Sequence, residues 1–135
     1  MATFTKVLSF TEAVAEKVHN LGSDQLVVAL TNTEPNTAWT QLSDLTEVSY
    51  TNLTSRNITT STSAQTSGTY KLVVADLVLT ASGAVGPFRY IYVYNGTATN
   101  DELVAYFDYG SEVTLASPDT FTCDFDGSNG LLTLA

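Results

Sequence analysis

From residue 25 onward the chain is a succession of short apolar runs, each cut by a turn signal before it can become a long element. The punctuation falls at 32–37 with Pro35, at 82–87 with Gly83, Gly86 and Pro87, at Asn95-Gly96, at Tyr109-Gly110, at Ser117-Pro118-Asp119 and at Asp126-Gly127-Ser128-Asn129-Gly130. Glycine admits positive φ and proline lacks a backbone donor, so such clusters end regular structure. The runs between them are rich in β-branched and aromatic residues: 25–31, 70–80, 88–94, 103–109, 112–115, 120–125 and 131–134, with a weaker, threonine-rich alternation over 56–63. Residues 42, 45 and 48 are spaced ambiguously and fit a helical turn or irregular chain. Roughly seven to nine short strands at this spacing predict a mostly β domain, a β-sandwich or barrel.

One segment has a different period. Phe10, Val14, Val18 and Leu21 make a single apolar stripe at helical spacing, Ser9 stands three residues before Glu12 as in a capping box, and Gly22 follows the stripe. These signals predict one short N-terminal α-helix over 9–21 that lays its stripe on the sheet as a lid. No repeat or linker divides residues 1–135, which read as one domain. Residues 1–8 form a candidate N-terminal arm, and the threonine-rich 51–69 stretch is a second candidate for gripping neighbours.

Charge narrows the partners. Five Lys and Arg against fourteen Asp and Glu give a net charge of −9, which repels nucleic acid and anionic membranes, so neither is expected as a partner. Serine and threonine make up about a quarter of the residues while charged residues are 14%, a surface solvated by hydroxyls. No run approaches the ~18 apolar residues of a membrane span. Residues 1–8 lack the charged start and apolar stretch of a signal peptide, so synthesis without export by that route is expected.

Chemistry-bearing residues are sparse. His19, the single histidine, is expected at the end of the helix, where a cation suits the dipole. Cys123 alternates with Phe121 and Phe125 and reads as a small buried apolar residue; alone, it forms no disulfide framework. Asp124 and Asp126 before Gly127 resemble part of a calcium loop but lack its later ligands, which favours a solvated turn. Gly83 and Gly86 have neither the following helix nor the lysine of a phosphate loop. Asn52, Asn57 and Asn95 match the glycosylation acceptor pattern, a chance outcome in a threonine-rich chain. No catalytic residue, metal ligand or cofactor is assigned, and an enzyme is not expected.

The aromatic residues are more informative. Strict alternation puts Phe88, Tyr90, Tyr92 and Tyr94 on one strand face and Arg89, Ile91 and Val93 on the other, with Tyr106, Phe107 and Tyr109 on the neighbouring strand. Two readings stand: a central strand with its hydroxyls at the rim of the core, or a face covered by a partner chain, since tyrosine is enriched at interfaces. Trp39, in the polar 34–40 loop, either plugs the end of the core or anchors a contact. The candidate protein-interface residues are Trp39, Tyr90, Tyr92 and Tyr94.

The stretches 13–24 (AVAEKVHNLGSD), 28–33 (VALTNT) and 66–80 (TSGTYKLVVADLVLT), followed by 86–90 (GPFRY) and 125–134 (FDGSNGLLTL), resemble a family of small virion proteins of tailed bacteriophages. The resemblance covers nearly the whole chain, from Phe4 to Ala135, and is one of overall pattern. It implies a jelly-roll-like β-sandwich and a non-enzymatic structural role as a capsid decoration, or cement, protein on the head surface, made in the host cytoplasm. Its implied partners are the major capsid protein and further copies of itself, as a dimer or trimer. A receptor- or glycan-binding module of a tail or fibre is the alternative. The resemblance carries over no catalytic or binding residue.

Overall fold

The computed structural model describes residues 2–135. Its element order is β1 (Thr5–Lys6), α1 (Phe10–Ala15), β2 (Leu26–Thr31), a 3-10 turn (Leu42–Asp44), β3 (Thr60–Thr66), β4 (Thr69–Val74), β5 (Leu77–Thr80), β6 (Val85–Asn95), β7 (Leu103–Leu115), β8 (Thr120–Cys123) and β9 (Leu132–Leu134). The domain is mostly β with one short N-terminal helix, as the punctuation predicts. The strands form three antiparallel sheets, ordered β1-β7-β6-β2, β3-β4-β9 and β5-β8.

The four-stranded sheet organises the rest because it is apolar on both faces. All six residues of β2 are buried. On one face Leu26, Val28 and Leu30 join Ile91 and Val93 of β6 and Val104 and Ala105 of β7. This face packs on Leu72 and Val74 of β4, Leu79 of β5, Cys123 of β8 and Leu132 of β9, so the two smaller sheets share one core with the large one. Each fully buried aliphatic side chain there contributes about 1.5–3 kcal/mol over leaving it wet. On the opposite face Val27, Ala29, Tyr90, Tyr92, Tyr94 and Leu103 form a second core.

Several boundaries differ from the sequence expectation, each for a tertiary reason. The helix ends at Ala15 rather than running through 21. Lys17 takes a left-handed conformation (φ 66°), its N–H bonds Val14 O at 3.3 Å, and the Val18 N–H bonds Ala13 O at 2.8 Å. That pair closes a Schellman stop with lysine where glycine is usual. The stripe still points inward, but Leu21 reaches the core from a loop and Gly22 caps nothing. Ser9 is itself in the right-handed helical region and makes no side-chain cap.

The expected strand 70–80 is two strands. At Ala75-Asp76 the chain leaves the three-stranded sheet for the two-stranded one, and Asp76 Oδ1 accepts the Phe125 N–H at 2.9 Å. Conversely, 103–109 and 112–115 fuse into one 13-residue strand, because Gly110 (φ 96°) lets β7 bulge without ending. The pairing of β6 with β7 shifts between Phe88 and Tyr90, which puts Phe88 in the first core and away from the tyrosines. Of the candidate arm 1–8, whose first residue lies outside the described residues, 4–7 are docked: β1 pairs with β7, the Val7 N–H bonds Val104 O at 3.1 Å, and Phe4 meets Phe107 edge-on at 5.9 Å.

Replacing Lys17 with glycine removes the strain of a left-handed lysine, a penalty of about 1–2 kcal/mol, and adds back part of it as chain entropy lost on folding. Lys17→Gly is expected to raise unfolding free energy by about 0.5–1 kcal/mol in urea titration.

Candidate functional site

The tyrosine face, for which a core rim and a partner-covered surface both stood as readings, is closed by the chain itself. After β2 the chain crosses this face, and Trp39, Leu42 and Leu45 pack over it. Tyr90, Tyr92 and Tyr94 are 8%, 1% and 7% exposed. The Tyr92 ring lies 6.3 Å from Trp39 and 5.2 Å from Tyr106. Burial pushes the Tyr92 phenol well above its ordinary value, so it stays protonated. Of the four interface candidates only Trp39 keeps partial exposure, and its indole serves as a plug. A side chain this large, half-buried, contributes about 2 kcal/mol. Trp39→Ala should lower stability by that amount in a denaturant melt and quench the near-ultraviolet dichroism of Tyr92.

A second clamp was invisible in the sequence. The Tyr50 hydroxyl accepts the Leu30 N–H at 2.9 Å and donates to Glu47 Oε1 at 2.7 Å. Arg56 lies 3.7 Å over the Tyr50 ring and donates to Val28 O at 2.6 Å. Together they fasten residues 47–56 along the outer edge of β2. Most cations are spent this way: Arg89 pairs with Asp108 at 2.8 Å, Lys71 reaches Ser128 O at 2.9 Å and Lys6 reaches Thr11 Oγ1 at 2.8 Å. Four of the five Lys and Arg residues thus make contacts within the chain, and the net charge of −9 keeps the exterior acidic overall.

His19 is not at a helix end. It is a buried residue stacked on Phe10 at 5.4 Å. Asn95, fully buried, fixes its chemistry. Asn95 Oδ1 accepts the N–H groups of Thr97 and Ala98 at 2.9 and 3.1 Å, so Asn95 Nδ2 must be the donor, to Asp24 Oδ2 at 2.6 Å and to His19 Nδ1 at 3.0 Å. Nδ1 therefore bears no proton, and the neutral ring carries its hydrogen on Nε2.

One open feature with an aromatic lining is a groove of about 300 Å³ where the four-stranded and two-stranded sheets part. Ile91, Phe107 and Tyr109 form one wall; Phe121, Cys123 and Phe125 form the other. Tyr109 and Phe121 are 5.3 Å apart, Phe107 and Phe125 6.3 Å, and Phe121 stands edge-on to Phe88 at 5.2 Å. Because β1 pairs only as far as Tyr106, the outer edge of β7 beyond it carries no strand, and Tyr109 is 52% exposed. Among the described residues that line it, Asp124 is the one that carries charge. Burial pushes the Cys123 thiol up to about 12, so it lines the groove as an apolar, protonated group. Asp126 closes a turn: its oxygens accept from the Ser128 and Asn129 N–H groups and from Asn129 Nδ2, each at 2.8 Å, which holds its carboxyl below the ordinary range. Among the described residues no three His, Cys, Asp or Glu gather as metal ligands.

The alternation of Phe121, Cys123 and Phe125 was the sequence signal for this wall. It announces burial equally well, because whether a strand edge is covered depends on partners distant in sequence. No family model, curated protein or solved structure matches the chain.

Burial lowers the His19 pKa from its ordinary 6.5, against the opposing pull of Glu102, Asp24 and the Leu103 backbone. Between the two values the unfolded chain binds a proton that the folded chain refuses. This stability is complete above 6.5 and is lost as pH falls through that value toward the lowered folded one. Melting temperature should therefore drop as pH falls below 6.5, and His19→Gln should flatten that segment. Asp108 and Asp126, also lowered, act only below the carboxylate value of 3.8.

Proposed function

We propose that the chain is a non-enzymatic virion structural protein, a capsid decoration protein that seats on the head lattice of a tailed phage through the aromatic groove. The observation that carries this reading is the groove itself: a concave apolar site on rigid strands, with a half-exposed Tyr109 at its mouth and Asp124 as the only charge among its described lining residues. Buried aromatic anchors dominate protein contacts, and an acidic rim selects a basic surround. The matching element is an apolar side chain flanked by Lys or Arg, presented by each major capsid protein subunit. The pattern resemblance to small phage virion proteins supports the same partner. On a lattice, many copies bind identical sites, so each contact can fall below the ~1,200 Å² typical of a stable complex while occupancy stays high, and linked copies add multivalency.

The test is co-sedimentation with heads lacking this protein. Wild-type chain should bind stoichiometrically and raise the temperature at which heads release DNA. Tyr109→Ala and Asp124→Lys should each weaken binding about tenfold or more, and Asp124→Lys, on an exposed side chain, should do so without shifting the melting temperature of the free domain. Undiminished binding by both variants would reject the groove, and no binding by wild type would reject the head. Exposed Tyr109 also suits stacking on a sugar ring; attachment of the free protein to host cells, abolished by Tyr109→Ala, would move the assignment to a receptor- or glycan-binding module of a tail or fibre.

A further inference from the structure

We infer that β3 is a self-association edge, pairing antiparallel with β3 of a second copy across a two-fold axis. Sheet order β3-β4-β9 leaves β3 with one bare side, and every residue from Ser61 to Thr69 is exposed. Natural edge strands are guarded by charge, proline or extreme shortness. This one has none of those guards: no charged residue or proline occurs between Arg56 and Lys71, in a chain of net charge −9. The other open edges differ. β8 is flanked by Asp119 and Asp124, the free part of β7 carries Asp108 and Glu112, β9 has three residues and β1 two. Two copies this acidic repel one another over most approaches, and β3 is the long edge on which they meet without opposing carboxylates.

The backbone register makes the pairing specific. β3 and β4 are joined by the two-residue turn Ser67-Gly68, with φ 52° and 85°, the sign pattern of a type I′ hairpin. The pair flanking such a turn, Thr66 and Thr69, exchanges hydrogen bonds, so Thr66, Ala64 and Thr62 face β4 and the N–H and C=O of Ser63 and Gln65 face outward. With the two-fold axis at Ala64, Ser63 of each copy stands opposite Gln65 of the other, and the outward groups form four hydrogen bonds. The bulge between Thr60 and Thr62 limits the register to the regular part of the strand. An edge contact of this length buries less than a standard interface, so self-association in free solution is weak and concentration-dependent.

Sedimentation equilibrium and amide hydrogen exchange on the whole chain test this without any phage particle, so the outcome is independent of the capsid assignment. The mass should rise toward twice that of one chain as concentration increases. Dimer should gain when salt goes from about 0.01 M to 1 M, which shortens the Debye length from roughly 30 Å to 3 Å. The Ser63 and Gln65 amides should gain protection with concentration, while those of Ala64 and Thr66, already bonded to β4, should not change. Ala64→Glu, which sets two carboxylates across the axis, and Gln65→Pro, which removes an outward N–H, should each weaken association about tenfold. A chain that stays monomeric at about 1 mM in high salt, a dimer with Ser63 and Gln65 unprotected, or a dimer indifferent to both substitutions would overturn the inference.

Discussion

A strand pair that is apolar on both faces has to be covered twice, and the pairing of β2 with β6 sets that requirement for the whole domain. Leu26, Val28 and Leu30 need one cover, and Val27, Ala29 and the three tyrosines opposite need another. The two small sheets supply the first. The second is a long excursion of chain with little regular structure, held by Trp39, Leu42 and Leu45 and by the Tyr50–Arg56 clamp on the β2 edge. A loop of that length is expensive in conformational entropy unless it buries its own anchors, and here a tryptophan and two leucines do so.

The same requirement separates what was legible in the sequence from what was not. Strand 88–94 is visible because apolar alternation meets strong turn residues at both ends, and 131–134 because an apolar run directly follows the 126–130 turn. Gly110 reads as a break and is a bulge, because β6 continues alongside and holds the strand together. Ala75-Asp76 reads as strand interior and is a corner, because the Asp76 carboxylate finds the Phe125 amide 49 residues away. The Lys17 stop has no local signature, since lysine is an ordinary helix former. The tyrosines were found correctly as an apolar face, but their cover lies 50 residues earlier in a polar loop, so partner and self were indistinguishable. Phe107, Tyr109 and Phe121 were legible as aromatic strand residues; their shared groove depends on β1 ending where it does.

Charge and apolar surface are divided in space. The acidic exterior has two interruptions: the aromatic groove, with Asp124 as the one charge among its described lining residues, and the uncharged β3 edge. The groove offers concave apolar area and the edge offers bare backbone, so they address different kinds of partner. One suits a projecting side chain, the other a matching strand, and a domain carrying both can bind a surface and its own neighbour at once.

The Asn95 hub has a chemical consequence. Asn-Gly is the dipeptide most prone to deamidation, through attack of the glycine nitrogen on the asparagine side-chain carbon with loss of ammonia. At Asn95-Gly96 the attacking nitrogen is occupied by a 2.8 Å bond to Gln25 O, and the departing amide is held by Asp24 and His19 in a site closed to water. The side-chain oxygen is fixed by two further donors. The residues that set the histidine tautomer therefore also shield one of the chain's two Asn-Gly steps, so that ageing at this position is governed by the rate at which the end of β6 opens, while Asn129-Gly130 lies in an exposed turn.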